Sequence, residues 1–174
     1  YYAVKEMAVK NKKILFVCTK KQGQEAIKEA ALKCNMPYVN KRWLGGLLTN
    51  FSTIQASINQ FRRIERMEAD GSLEKLTKKE RTKLLKKKGK MEAVLGGLKD
   101  LDSLPDALFV IDTVREKIGI IEAKRLNIPV VAMVDTNSDP DVIDHPIPAN
   151  DDAIRALKLF ADKIILHIEP SIWL

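Results

Sequence analysis

Ala107-Leu108-Phe109-Val110-Ile111 and Val130-Val131-Ala132-Met133-Val134 decide the fold class. Both runs are apolar at every position. A strand with one wet face alternates apolar and polar residues, so a continuous run means that both faces are covered, as in a parallel sheet with helices on each side. Residues 112–129 separate the runs and are long enough for a helical crossover. The helix is predicted over Arg115 to Leu126, with Ile118, Ile121 and Leu126 as its apolar stripe. Strand, helix and strand at this spacing make an α/β unit with a right-handed crossover.

The same rhythm continues outward. Ile14-Leu15-Phe16-Val17-Cys18 reads as a third buried strand and Pro37-Tyr38-Val39-Asn40 as a shorter one, while Ile147 between two prolines marks a short last strand. Gln22 to Lys33 is helical in composition, with Ala26, Ile27, Ala30 and Ala31 on one face. Asn150 is a natural N-cap for a last helix, and Asp151 and Asp152 suit the positive end of its dipole. Tyr1 to Glu6 reads as the middle of a helix. It has no basic head, apolar core or cleavage site of a signal peptide. With no initiator Met in front of it, a further N-terminal segment is expected.

Residues 51–98 break the rhythm. Phe51, Ile54, Ile58, Phe61 and Ile64 recur every three or four residues, which predicts one long amphipathic helix. Asp70-Gly71-Ser72 punctuates it, and Thr77-Lys78-Lys79-Glu80 is a capping-box pattern that starts a second helix. That helix carries Leu84, Leu85, Met91, Val94 and Leu95 and ends at Gly96-Gly97. The division predicted is an α/β domain from residues 1–50 and 99–174, interrupted by an antiparallel helical hairpin at 51–98.

Of 174 residues, 45% are apolar and 30% charged, which excludes a disordered tail. No apolar run approaches the ~18 residues of a bilayer span. The net charge is +7, with a pI near 9.4. That excess favours a polyanionic partner, nucleic acid before a membrane surface. Cys18 and Cys34 cannot staple a chain this long and fit a reducing compartment.

Catalytic chemistry has two places to sit. Cys18 lies at a strand end before a helix, the setting of a low-pKa thiolate. Small tyrosine phosphatases follow such a Cys with five residues and an Arg, but here that position is Gln24, and the Lys20-Lys21-Gln22-Gly23 loop has too little Gly to wrap a phosphate. Cys18 is therefore expected to be a small buried hydrophobe. The second place is acidic: Asp135, Asp139, Asp141, Asp144, Asp151 and Asp152, with His145 among them. Such oxygen ligands could hold a divalent cation, with Asp135, Asp151 and Asp152 as the positions for it. The same residues also fit turn chemistry, so no metal is assigned. There is no Walker loop or dinucleotide fingerprint, and no cofactor is expected. An α/β ligand-binding or hydrolytic enzyme using Cys18 or the Asp135–Asp152 cluster is the alternative function.

Basic residues point elsewhere. Lys78, Lys79, Lys83, Lys86, Lys87, Lys88 and Lys90 crowd the second hairpin helix, and Arg62, Arg63 and Arg66 stand on the first. Lys86-Lys87-Lys88 cannot all pair with acids on one helical face, and a projecting basic helix suits phosphate contacts. The loop from Asn40 to Asn50 sets Lys41 and Arg42 beside Trp43 and the Gly45-Gly46 pair. Arg and Trp can stack on bases, or Trp43 and Leu44 can plug the hairpin base with Lys41 and Arg42 outside.

Tyr38-Val39-Asn40-Lys41-Arg42-Trp43-Leu44-Gly45-Gly46-Leu47-Leu48-Thr49-Asn50-Phe51 resembles the most distinctive stretch of the bacterial-type ribosomal protein S2 family. Leu104 to Asp112, with Glu116, Ile120, Glu122 and Asn127-Ile128-Pro129, resembles its second signature. Val134 to Asp141, continuing through Ile147-Pro148 to Asn150-Asp151-Asp152-Ala153-Ile154-Arg155, resembles its C-terminal block. The resemblance implies a flavodoxin-like three-layer domain with the inserted hairpin. It implies a non-enzymatic constituent of the small ribosomal subunit that binds ribosomal RNA and helps dock the mRNA-binding ribosomal protein S1. Cytoplasm and a bacterial ribosome are expected before a plastid one, with no membrane and no homo-oligomer. The RNA contacts expected are Lys20, Lys21, Lys41, Arg42, Trp43 and Asn50, with the hairpin cations named above. Cys18 and Ala149 stand where the family usually has Gly, and His167 to Leu174, with Pro170 and Trp173, departs from the family.

Overall fold

The computed structural model describes residues 2–10 and 12–168. The tail with Pro170 and Trp173 lies outside the described residues. The elements run α1 (Tyr2–Val9), β1 (Ile14–Val17), α2 (Gln24–Lys33), β2 (Tyr38–Val39), α3 (Phe51–Ala69), α4 (Lys78–Leu95), β3 (Ala107–Ile111), α5 (Lys117–Arg125), β4 (Val130–Val134), β5 (His145–Pro148) and α6 (Ile154–Ile168), with short 3-10 turns at Ser72–Lys75, Gly96–Leu98 and Pro140–Val142.

The five strands form one sheet in the order β2-β1-β3-β4-β5, and every neighbouring pair is parallel. The register sets Leu15 opposite Leu108 and Val110 opposite Ala132. Successive side chains point to opposite faces, so the continuous apolar runs supply two cores. One face presents Leu15, Val17, Leu108, Val110, Val130 and Ala132 to α3, α5 and the loop residues Trp43, Leu47 and Leu48. The other presents Ile14, Phe16, Phe109, Ile111 and Met133 to α1, α2 and α6. There Phe16 and Phe109 meet edge to face, with centroids 5.4 Å apart. The fold is α/β and flavodoxin-like, with three layers.

Two expectations fail. The stripe Ile118, Ile121, Leu126 faces solvent, and the buried residues of α5 are Gly119, Ile120, Glu122 and Ala123. The reason is that a buried carboxylate bonded to the neighbouring loop outranks the simple apolar count. At the C-terminal end, Asn150 closes a turn before the helix: its Oδ1 accepts from the N–H of Asp152 (2.8 Å) and Ala153 (3.2 Å), and α6 starts only at Ile154. Asp151 and Asp152 thus precede the helix and bond elsewhere.

Between β2 and β3, α3 buries Ile54, Ile58, Phe61 and Ile64. The capping box on α4 is present, with Thr77 and Glu80 bonded reciprocally. Of the apolar residues on α4 only Leu95 is buried. Ion pairs tie α4 and the turn after it to α3: Lys88 to Glu68, Lys99 to Glu65 and Arg62 to Asp102. Each step back along α3 meets a partner further along the chain, as antiparallel packing requires.

The Gly96-Gly97 pair closes the hairpin against β2. A Cβ on Gly97 would come within 2.3 Å of the Tyr38 carbonyl oxygen, a backbone atom that cannot step aside, whereas a Cβ on Gly96 meets nothing closer than 3.8 Å. Gly97→Ala is expected to lose about 2 kcal/mol of stability through overpacking. Gly96→Ala is expected to be neutral or slightly stabilising, as Ala is the better helix former. Urea midpoints of the two variants check this.

Candidate nucleic-acid interface

The loop from Lys41 to Asn50 has no regular secondary structure, so its backbone donors need partners. A single carboxylate serves three of them and two side-chain donors besides. Glu122 Oε1 accepts from Trp43 Nε1 (3.1 Å) and the Gly46 N–H (2.7 Å). Its Oε2 accepts from the N–H groups of Leu48 (2.9 Å) and Thr49 (3.1 Å) and from Thr49 Oγ1 (3.2 Å). Burial alone would raise the Glu122 pKa, but the donors of Trp43, Thr49, Leu48 and Gly46 outweigh it and hold the carboxyl below its ordinary value. Gly46 takes φ +82, which turns its N–H towards this carboxylate without the strain a side chain would bring. Gly119 lies beneath the Trp43 ring, where a Cβ would stand 3.1 Å from the ring carbons.

Trp43 is therefore inside, buried and bonded, and is not available to stack on a base. Lys41 and Arg42 are outside. The Lys41 ammonium rests on Gln24 Oε1 (2.9 Å) at the exposed start of α2. Lys21 is exposed on the same side of the sheet, beyond the carboxyl end of β1. Asn50 is also exposed and accepts from Thr53 Oγ1 (2.9 Å).

The hairpin cations divide in the same way. Arg63, Arg66, Lys78, Lys79, Lys83, Lys86, Lys87 and Lys90 are exposed. Arg62 is half-buried and donates to the Lys99 carbonyl and to Asp102. Lys88 is half-buried and paired with Glu68. These two cations already have protein partners.

Lys20 departs furthest from the expected RNA contact. Its ammonium lies 2.7 Å from Asp151, 2.5 Å from Asp152 and 3.6 Å from Asp112, and its side chain is only 13% exposed. Burial would lower its pKa, but the hydrogen bonds to Asp151 and Asp152 prevail and raise it. Asp135, Asp151 and Asp152 do converge, with one oxygen of each within 4.8 Å of the others. Their negative charge is answered by the chain's own Lys20. Asp151 Oδ2 is buried without a hydrogen-bond partner.

This lysine lies beyond the carboxyl ends of β1 and β3, where the chain order of the sheet reverses and α/β sheets bind ligands. Next to it, Glu116 accepts from the Thr19 N–H (2.7 Å) and Thr19 Oγ1 (2.6 Å), and Arg115 Nε donates to the same hydroxyl (2.9 Å). Burial raises the Glu116 pKa against those bonds. Cys18 is fully buried beneath this seam, against Gly23, and burial pushes its thiol up to about 12. A thiol held there is not a nucleophile at neutral pH.

Sequence reading alone did not single out Thr19, Glu116, Gly119 or Glu122 for these roles. The signal for Glu122 was present: an acid in a helix whose other inward positions, Gly119, Ile120 and Ala123, are small or apolar.

Comparison with known proteins agrees with the fold. A family model described as Ribosomal protein S2 matches residues 1–170. The match reaches into the tail expected to depart from the family and leaves out only residues 171–174. Small ribosomal subunit protein uS2 of Campylobacter concisus (strain 13826) is 58% identical over 164 residues, covering 94% of this chain and 63% of that protein. The proteins of the same name from Campylobacter curvus (strain 525.92) and Campylobacter hominis are each 57% identical over 164 residues, covering 94% of this chain and 62% and 61% of their own lengths. The chain thus spans a little under two thirds of these relatives.

Glu122→Gln is expected to cost about 2 kcal/mol at pH 7, because donors built for a charged acceptor then face an amide. A carboxyl whose folded pKa lies below its unfolded value of about 4.3 adds stability above that value and loses it as pH falls through the folded one. The stability gap between wild type and Glu122→Gln therefore narrows as pH drops below about 4, read by denaturant unfolding at stepped pH. Cys18 is expected to resist iodoacetamide at pH 8 in the folded protein and to react only once denaturant unfolds it, read by mass spectrometry.

Proposed function

The chain belongs to the ribosomal protein S2 family, and from that premise we propose that it is a structural, non-catalytic constituent of the small ribosomal subunit. It holds ribosomal RNA with the exposed cations of the α3–α4 hairpin and of the loop at Lys41 and Arg42. One observation carries this reading: α4 bears eight cations against two acids and buries only Leu95. Most of the chain's net charge of +7 therefore stands on a helix that contributes little to the core. Lysines so placed neutralise phosphates and release counterions.

The contacting set is Lys21, Lys41, Arg42, Asn50, Arg63, Arg66, Lys78, Lys79, Lys83, Lys86, Lys87 and Lys90. Lys20, Trp43, Arg62 and Lys88 support the surface from within. Neighbouring small-subunit proteins, and docking of the mRNA-binding ribosomal protein S1, belong to the same reading through the family resemblance, as does a cytoplasmic location. No helix among the described residues is long and apolar enough to cross a membrane. The enzyme alternative loses both of its candidate centres: the thiol is buried, and Asp151 and Asp152 hold a lysine.

The test is salt-dependent binding of the full-length protein to small-subunit ribosomal RNA. Replacing Lys83, Lys86 and Lys87 by Gln is expected to weaken binding and to reduce the logarithmic salt slope by about three units, and Lys41→Ala with Arg42→Ala by about two. Unchanged affinity and slope in both variants would remove this surface from the interface.

A further inference from the structure

Helix α5 is apolar on two sides. Gly119, Ile120 and Ala123 face the core, and Glu116 and Glu122, the two acids at and within the helix, also turn inward. What remains outside is cationic and aliphatic. Ile118 is 59% exposed and Ile121 43%, and Val114, just before the helix, is 54% exposed. Lys117, Lys124 and Arg125 border them, with no exposed acid on the helix itself. Beside this face lies a hollow of about 330 Å³ between α5 and the Pro140–Val142 turn, lined by Ile120, Ile121 and Val142, with Lys117 and Lys124 on its rim.

Single exposed isoleucines are ordinary, but several on one face beside an apolar hollow mark an interaction site. The chemistry selects the occupant. RNA would satisfy the lysines but leave the branched aliphatic chains against a hydrated backbone, and the lining has no aromatic ring on which a base could stack. A bilayer takes up a broad convex apolar face, whereas this one is concave and carries Asp139 on its far wall. An amphipathic helix with leucine or isoleucine at i, i+3 or i+4 and i+7, flanked by glutamate or aspartate, meets both features: its apolar side enters the hollow and its carboxylates reach Lys117 and Lys124.

We propose that the outer face of α5 docks an acidic amphipathic helix of a neighbouring small-subunit protein. Where that partner is found rests on the proposed ribosomal role; the docking chemistry does not.

Two experiments on the full-length protein test this. In the first, fluorescein-labelled model peptides are titrated by anisotropy: a helix with Leu at i, i+3, i+4 and i+7 and Glu elsewhere, and its twin with Lys for Glu. The acidic peptide is expected to bind, and the lysine twin at least about tenfold more weakly. Ile118→Ser with Ile121→Ser, and separately Lys117→Glu with Lys124→Glu, are each expected to weaken the acidic peptide by about tenfold or more, with unchanged melting temperatures because all four side chains are exposed. Equal binding of both peptides, no effect of either double variant, or preferential binding to vesicles of phosphatidylglycerol would overturn the proposal. In the second, a photo-crosslinking residue replaces Ile118 and small subunits are purified at low salt. A crosslink to an acidic, aliphatic helical segment of a ribosomal protein is the expected result. Crosslinks to RNA alone, or none, in subunits that contain the protein would overturn it. A protein absent from the subunits but selective for the acidic peptide would count against the ribosomal role and leave the docking chemistry standing.

Discussion

The carboxylate of Glu122 is the point on which the loop from Lys41 to Asn50 depends. A buried charge is costly unless its lone pairs are filled, and here five donors from one loop fill them. The bond network works in both directions. The loop gains an internal acceptor for backbone groups that no strand or helix would satisfy, and the helix gains a fixed seat for Trp43 over Gly119. Lys41 and Arg42 are then directed outward because the residues after them are held in place. Five of the bonds that hold this loop thus end on one acid in the adjacent helix.

A second charged cluster sits beyond the carboxyl ends of β1 and β3. Lys20 among Asp112, Asp151 and Asp152, and Glu116 on Thr19, join the ends of β1 and β3 to the segment before α6. Groups that in another α/β protein would face a substrate are here spent on one another. The exposed cations of α3 and α4 stand apart from this cluster. The proposed recognition of a polyanion needs no deep pocket.

The cation run was legible from composition, because seven lysines and an arginine on one 18-residue helix exceed what two glutamates can pair. Which cations are free was not. Lys20, Arg62 and Lys88 look like their neighbours in the chain, and only long-range partners, such as Asp151 at a separation of 131 residues, distinguish them. Trp43 was ambiguous for the same reason: an indole beside two cations suits a base stack or a core plug until its N–H partner, 79 residues away, is known. The stripe on α5 was misread because periodicity counts apolar residues and cannot see that a glutamate with five donors belongs inside.

Local pattern determined the strand runs, the crossover helices, the capped hairpin and the basic helix, since each depends on propensity and periodicity within a few turns of chain. The parallel sheet followed from the same pattern, because runs without polar alternation need cover on both faces. Tertiary structure alone decided which charges are internal ties and which are available, which face of α5 is left open, and why Gly97 must lack a side chain. Those outcomes arise from contacts between segments far apart in sequence, where burial changes the energy of a charge or a methyl group by more than any local preference.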